Sequence, residues 1–133
     1  MIAKIKKPET LFLVIGILSI LFGFAINANS IYVNFHDTYF VIRSFDAATL
    51  VALILAFYAL IYLILNKLKK PITLQIAYWH LGTFLLGILT FLFSSQSNSF
   101  LATNYYTISL LASIILIIIS TIIFISGLLN ALL

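Results

Sequence analysis

The sequence contains no cysteine, which excludes disulfides, thiolate zinc sites, cysteine-ligated iron–sulfur clusters and c-type haem attachment. Acidic residues are almost as scarce: Glu9, Asp37 and Asp46 are the only three in 133 residues. Charged residues of both signs make up 8 % of the chain. A soluble domain keeps about a quarter of its residues charged so that its surface stays solvated. Seven basic and three acidic side chains cannot coat a globule of this size, so lipid must be the solvent for most of its surface.

The net charge is +4, yet the basic residues are not spread over one face. Six of the seven are lysines in two short clusters, Lys4/Lys6/Lys7 and Lys67/Lys69/Lys70, each beside an apolar run. That is the pattern of loops held on the cytoplasmic side of a membrane, not of a phosphate-binding groove, and no nucleic-acid partner is expected. The first cluster and the run behind it also have the form of a signal peptide, with Ile26-Asn27-Ala28 as a cleavage context. We expect the segment to be retained as a first membrane span.

A membrane-crossing helix needs about 20 predominantly apolar residues. Four segments meet that need, at about 10–28, 47–66, 73–93 and 107–129. The second is expected to start earlier, at Thr38, and to project about two turns beyond the hydrocarbon, giving a helix over 38–66. A tight basic turn at 66–71 joins the second and third spans, whereas the outer connections, 29–46 and 94–106, carry Arg43 as their only basic residue. Six lysines on one side against one arginine on the other predict that both termini are cytoplasmic. Tyr105 and Tyr106 suit the outer boundary, Tyr78 and Trp79 the inner one. The expected fold is a single all-α integral membrane domain over 1–133, a four-helix transmembrane bundle with both ends inside. The lysine bias and an uncleaved start fit a bacterial inner membrane.

In lipid, helices associate through small residues and buried polar contacts. His80, Thr83, Gly87, Thr90 and Ser94 share one stripe of the third span; Ser113, Ser120 and Gly127 recur every seven residues in the fourth, with Ser109 one turn above. Ala48, Ala52, Ala56 and Ala59 form a comparable seam in the second. These three stripes are expected to face one another as packing seams.

The stretch His36-Asp37-Thr38-Tyr39-Phe40-Val41, preceded by Ala28-Asn29-Ser30, resembles subunit I of the haem–copper oxidases, the catalytic subunit of cytochrome c oxidase. That family reads His-Asp-Thr-Tyr-Tyr-Val-Val-Ala-His-Phe-His as it enters its tenth membrane helix from the outer side. The resemblance covers about 15–20 residues of this chain, and it implies that four spans correspond to the ninth to twelfth helices. In the family, the histidines eight and ten residues after the motif histidine ligate the high-spin and low-spin haems. Those positions here are Ser44 and Asp46, and a hydroxyl and a carboxylate do not replace two imidazoles as axial ligands to these haems. The region that carries the copper ligands has no counterpart. The resemblance therefore implies a relative that does not reduce oxygen by itself, and neither haem nor any other tightly held cofactor is expected.

His36 and Asp37 are retained. In the family this pair helps to bind magnesium or manganese near the outer face, with a carboxylate from another subunit, a role suited to a hard ion that keeps several waters. The alternative is that His36 and Asp37 form a hydrogen-bonded N-cap of the second helix, with Asp37 or Thr38 capping its first turn; Thr38 and Tyr39 are otherwise expected to be partner-contact or structural residues. Arg43 and Asp46, three apart, are expected to pair. His80 is an intramembrane histidine and so a functional candidate; the plainer expectation is a neutral ring bonded to a serine or a carbonyl beside Trp79. A pump or transporter is disfavoured, because no span core contains Asp, Glu, Lys or Arg.

Three functions stay open on the sequence. The first is a non-catalytic subunit or accessory protein that meets a respiratory complex through its outer loop. The second is an oxidase assembly factor that handles a divalent metal or haem. The third is an independent small membrane protein that keeps the motif as a folding element.

Overall fold

The computed structural model describes residues 7–25, 30–35, 38–95 and 103–133. The chain folds in the order α1 (Pro8–Ala25), β1 (Ser30–Phe35), β2 (Thr38–Arg43), α2 (Ser44–Lys67), α3 (Leu74–Ser95) and α4 (Thr103–Leu132). Each of the four helices contains a segment long and apolar enough to cross a membrane. The chain is a four-helix bundle of the multi-pass membrane type.

Local chemistry explains the helix ends. Pro8 takes the first position of α1, where its missing N–H is not needed, and the Lys7 carbonyl accepts from the N–H groups of Thr10 and Leu11. The end of α2 is a Schellman turn. The Lys70 N–H donates to the Leu65 carbonyl at 3.0 Å and the Lys69 N–H to the Asn66 carbonyl at 3.1 Å. Lys69 sits in the left-handed region, φ 58°, where glycine is the usual occupant. Pro71 follows and prevents α2 from continuing.

The expected outer extension of the second helix is corrected. Thr38–Arg43 is a strand, paired antiparallel with Ser30–Phe35 in the register Ser30↔Arg43 to Phe35↔Thr38. Both segments are dense in β-branched and aromatic residues, which favour a pleated backbone over a helix. α2 begins at Ser44, and its cap position belongs to Arg43 in an extended conformation without a side-chain capping bond. Thr38 therefore lies in a strand five residues before that position and does not cap α2; the alternative cap, Asp37, lies outside the described residues.

The seams also pair differently from expectation. The bundle is two helical hairpins, α1 on α2 and α3 on α4, joined by a shared core in which Phe12, Tyr58 and Tyr62 pack against His80 and Phe124. The alanine seam of α2 faces α1, not the third and fourth spans. A Cβ on Gly23 would overlap the Cβ of Ala48 and lie 3.2 Å from the Ser44 carbonyl oxygen, and one on Gly16 would sit 3.5 Å from the Ala52 carbonyl oxygen. The Ser19 hydroxyl, between those glycines, lies 2.8 Å from the Gly16 carbonyl oxygen and 3.4 Å from that of Ala48. The α3 and α4 stripes do meet. A Cβ on Gly87 would lie 3.3 Å from the Ser113 carbonyl oxygen, and the Ser120 hydroxyl donates to the His80 carbonyl at 2.9 Å.

What surrounds the bundle follows from what it leaves outside. Ile17, Leu21 and Phe24 of α1, Leu53 and Phe57 of α2, Leu86 of α3, and Ile108, Leu111, Ile118 and Ile122 of α4 are all exposed. Together they form an apolar surface that a monomer in water would not sustain.

Candidate functional site

Two places gather the chain's polar chemistry, one at each end of the bundle. The ends can be told apart by their bonds. The Asn66 amide donates to Glu9 Oε1 at 3.2 Å, and the Lys70 ammonium donates to the Leu132 carbonyl at 2.6 Å. The start of α1, the α2–α3 turn and the end of α4 therefore share one end, with Lys7, Lys67, Lys69 and Lys70. The hairpin and Arg43 are at the other.

At the hairpin end, Arg43 closes onto the first turn of α2. Its Nε lies 2.9 Å from Asp46 Oδ2 and its Nη2 3.4 Å from Oδ1, so the expected pair forms. The carboxylate also sits favourably at the positive end of the α2 dipole. The pair is exposed, and such a contact contributes about 0.2–1 kcal/mol. Both oxygens of Asp46 are taken by the guanidinium, which leaves it a poor third ligand for an ion held nearby. Ser44 and Asp46 occupy the first turn of α2, with the Ser44 backbone against Gly23. Thr38 and Tyr39 pair with Phe35 and Asn34 across the hairpin. His36 and Asp37 lie outside the described residues, as do the outer aromatic side chains of Tyr105 and Tyr106. Among the described residues, no group of three His, Cys, Asp or Glu side chains comes together.

Toward the lysine end, His80 lies at the centre of the bundle with no exposed surface. Residues of α1, α2 and α4 enclose its ring: Phe12 at 5.2 Å and Phe124 at 5.0 Å, both tilted, and Tyr58 edge-on at 4.4 Å. Its Nδ1 is 3.2 Å from the Tyr62 hydroxyl. The expected partner is thus corrected: the ring bonds to a tyrosine, and Ser120 binds the His80 backbone carbonyl instead. Trp79 is no neighbour either, since it faces outward, 63 % exposed. His80 Nε2 has no hydrogen-bond partner among the described residues.

Glu9 is the residue the sequence reading missed. Counting the first span from Thr10 left it outside, but it is buried in the first turn of α1 with Oε1 on Asn66 and Oε2 unpartnered among the described residues. Glu9 and Phe12 are three apart on α1, and Tyr62 and Asn66 four apart on α2. The two polar pairs therefore lie one helical turn from each other. A signal was present: Glu9 and Asn66 are the polar residues that border their apolar runs, next to lysines at the same end.

Comparison with protein-family models, with curated proteins and with solved structures finds no match to this chain.

Proposed function

We propose that the chain is a non-catalytic membrane subunit or accessory protein, similar to part of cytochrome c oxidase subunit I, that acts through protein–protein contacts with a respiratory membrane complex. One observation carries this reading: what stands at the two positions where the resembling family has haem-ligand histidines. Ser44 has its carbonyl against Gly23 of α1, and Asp46 is held by Arg43. Neither side chain is a stable axial ligand for these haems. Close helix packing has taken the space that a macrocycle would need.

The His36–Asp37 motif joins two strands whose backbone can pair with a partner's strand. A two-stranded hairpin is marginal on its own, so a partner seated there stabilises both. The same loop could supply two ligands to magnesium or manganese. With Asp46 engaged by Arg43, the remaining ligands would come from the partner and from water. Four described lysines at one end against Arg43 at the other support cytoplasmic termini and an outward-facing hairpin. A bacterial inner membrane fits this bias.

Isolation of the native chain in mild detergent tests the reading. A cytochrome-containing complex is expected to come with it in fixed proportion, and Asp37→Ala is expected to weaken that association. A chain that isolates alone contradicts the proposal. Stoichiometric metal on the solitary chain favours a metal-handling role instead.

A further inference from the structure

We propose that the lysine turn between α2 and α3 is a headgroup site for an anionic phospholipid. The turn satisfies its own backbone through the two Schellman bonds and the 2.9 Å bond from the Leu68 N–H to the Ile64 carbonyl. Its side chains are therefore what it presents. Lys67 and Lys69 are exposed, and the Glu9–Asn66 bond puts Lys7, also exposed, at the same end of the bundle. Lys70 is committed to the Leu132 carbonyl. The one side-chain carboxylate at this end among the described residues is Glu9, which is buried and bonded to Asn66. Lys7, Lys67 and Lys69 make no ion pair among the described residues, where the only salt bridge is Arg43–Asp46 at the opposite end.

One further observation selects a lipid over a soluble anion. Leu68, between the two free lysines, is 62 % exposed, and Leu74, Tyr78 and Trp79 continue an exposed apolar and aromatic surface from the turn along α3. A free phosphate gains nothing from that surface, whereas acyl chains lie along it below a phosphate held by the ammonium groups. Lys69 also occupies a left-handed position that glycine would fill without strain. The turn thus keeps a charge where its backbone favours no side chain at all. The site requires the four helices to lie in a bilayer but is independent of any partner at the hairpin, so either proposal can fail alone.

Native mass spectrometry of the detergent-purified full chain, with phosphatidylglycerol or phosphatidylcholine added, tests the assignment. The expected result is preferential retention of phosphatidylglycerol, reduced about fivefold for each lysine lost in Lys67→Gln and Lys69→Gln, and unchanged in Arg43→Gln. Lys69→Gly separates binding from folding: it is expected to lose lipid while unfolding at higher temperature. Equal retention of the two lipids, or wild-type retention in the double Gln variant, overturns the proposal. Displacement of the lipid by inorganic phosphate overturns it in favour of a soluble anion.

Discussion

At the scale of single residues, the buried histidine is held by one side-chain hydrogen bond and a shell of aromatic rings. Tyr62→Phe removes the hydroxyl from His80 Nδ1 and leaves both ring nitrogens without a partner among the described residues. The expected cost is about 1–2 kcal/mol, since interhelical hydrogen bonds in membranes are worth about 0.6 kcal/mol and an abandoned buried group adds to that. Tyr62→Phe combined with His80→Phe is expected to cost less than the sum of the two single changes, because no polar partner is then left behind. Ser120→Ala, which gives up only the bond to the His80 carbonyl, is expected to cost about 0.6 kcal/mol. Reversible unfolding in mixed micelles measures all of these. The sequence made His80 visible as an intramembrane histidine, but it could not name Tyr62. That tyrosine is one of seven, and only the tertiary packing that brings its hydroxyl to His80 selects it.

At the scale of elements, two glycines separate packing from helix propensity. Gly23→Ala drives a methyl into Ala48 and toward the Ser44 carbonyl, so α1 and α2 must move apart, at about 1–3 kcal/mol. Gly82→Ala meets nothing within 4 Å and is expected to leave stability unchanged or raise it by up to about 1 kcal/mol. Lys69→Gly is expected to add about 1–2 kcal/mol by relieving the left-handed conformation. The same unfolding assay ranks the three. The helices were legible because hydropathy over about 20 residues is a strong signal; the exception is the start of the second, expected at Thr38 and found at Ser44. The hairpin was not, because the oxidase-like motif suggested entry into a helix while the local composition favoured strands. The run Ile31-Tyr32-Val33 against Phe40-Val41-Ile42 is the signal that points to a hairpin. The mates of the seams were also hidden. A stripe of alanines tells which face of α2 packs, but only chain reversal through the hairpin makes α1 its nearest neighbour.

At the scale of the whole molecule, the charge asymmetry gives a testable topology. Because the chain has no cysteine, single substitutions report sidedness without background. Lys69→Cys is expected to react with a membrane-impermeant maleimide only from the cytoplasmic side, and Val41→Cys only from the outer side. The reverse pattern overturns the orientation drawn from the lysines. The proposed function sets the close packing of α1 on α2 at the position where the resembling family holds a haem; that is a claim about the purified chain's spectrum. A pyridine haemochrome spectrum of the purified native chain tests that claim most directly. The expected spectrum has no haem bands attributable to the chain, with Gly23 packed on Ser44 and Asp46 bound to Arg43; one haem per chain would contradict it.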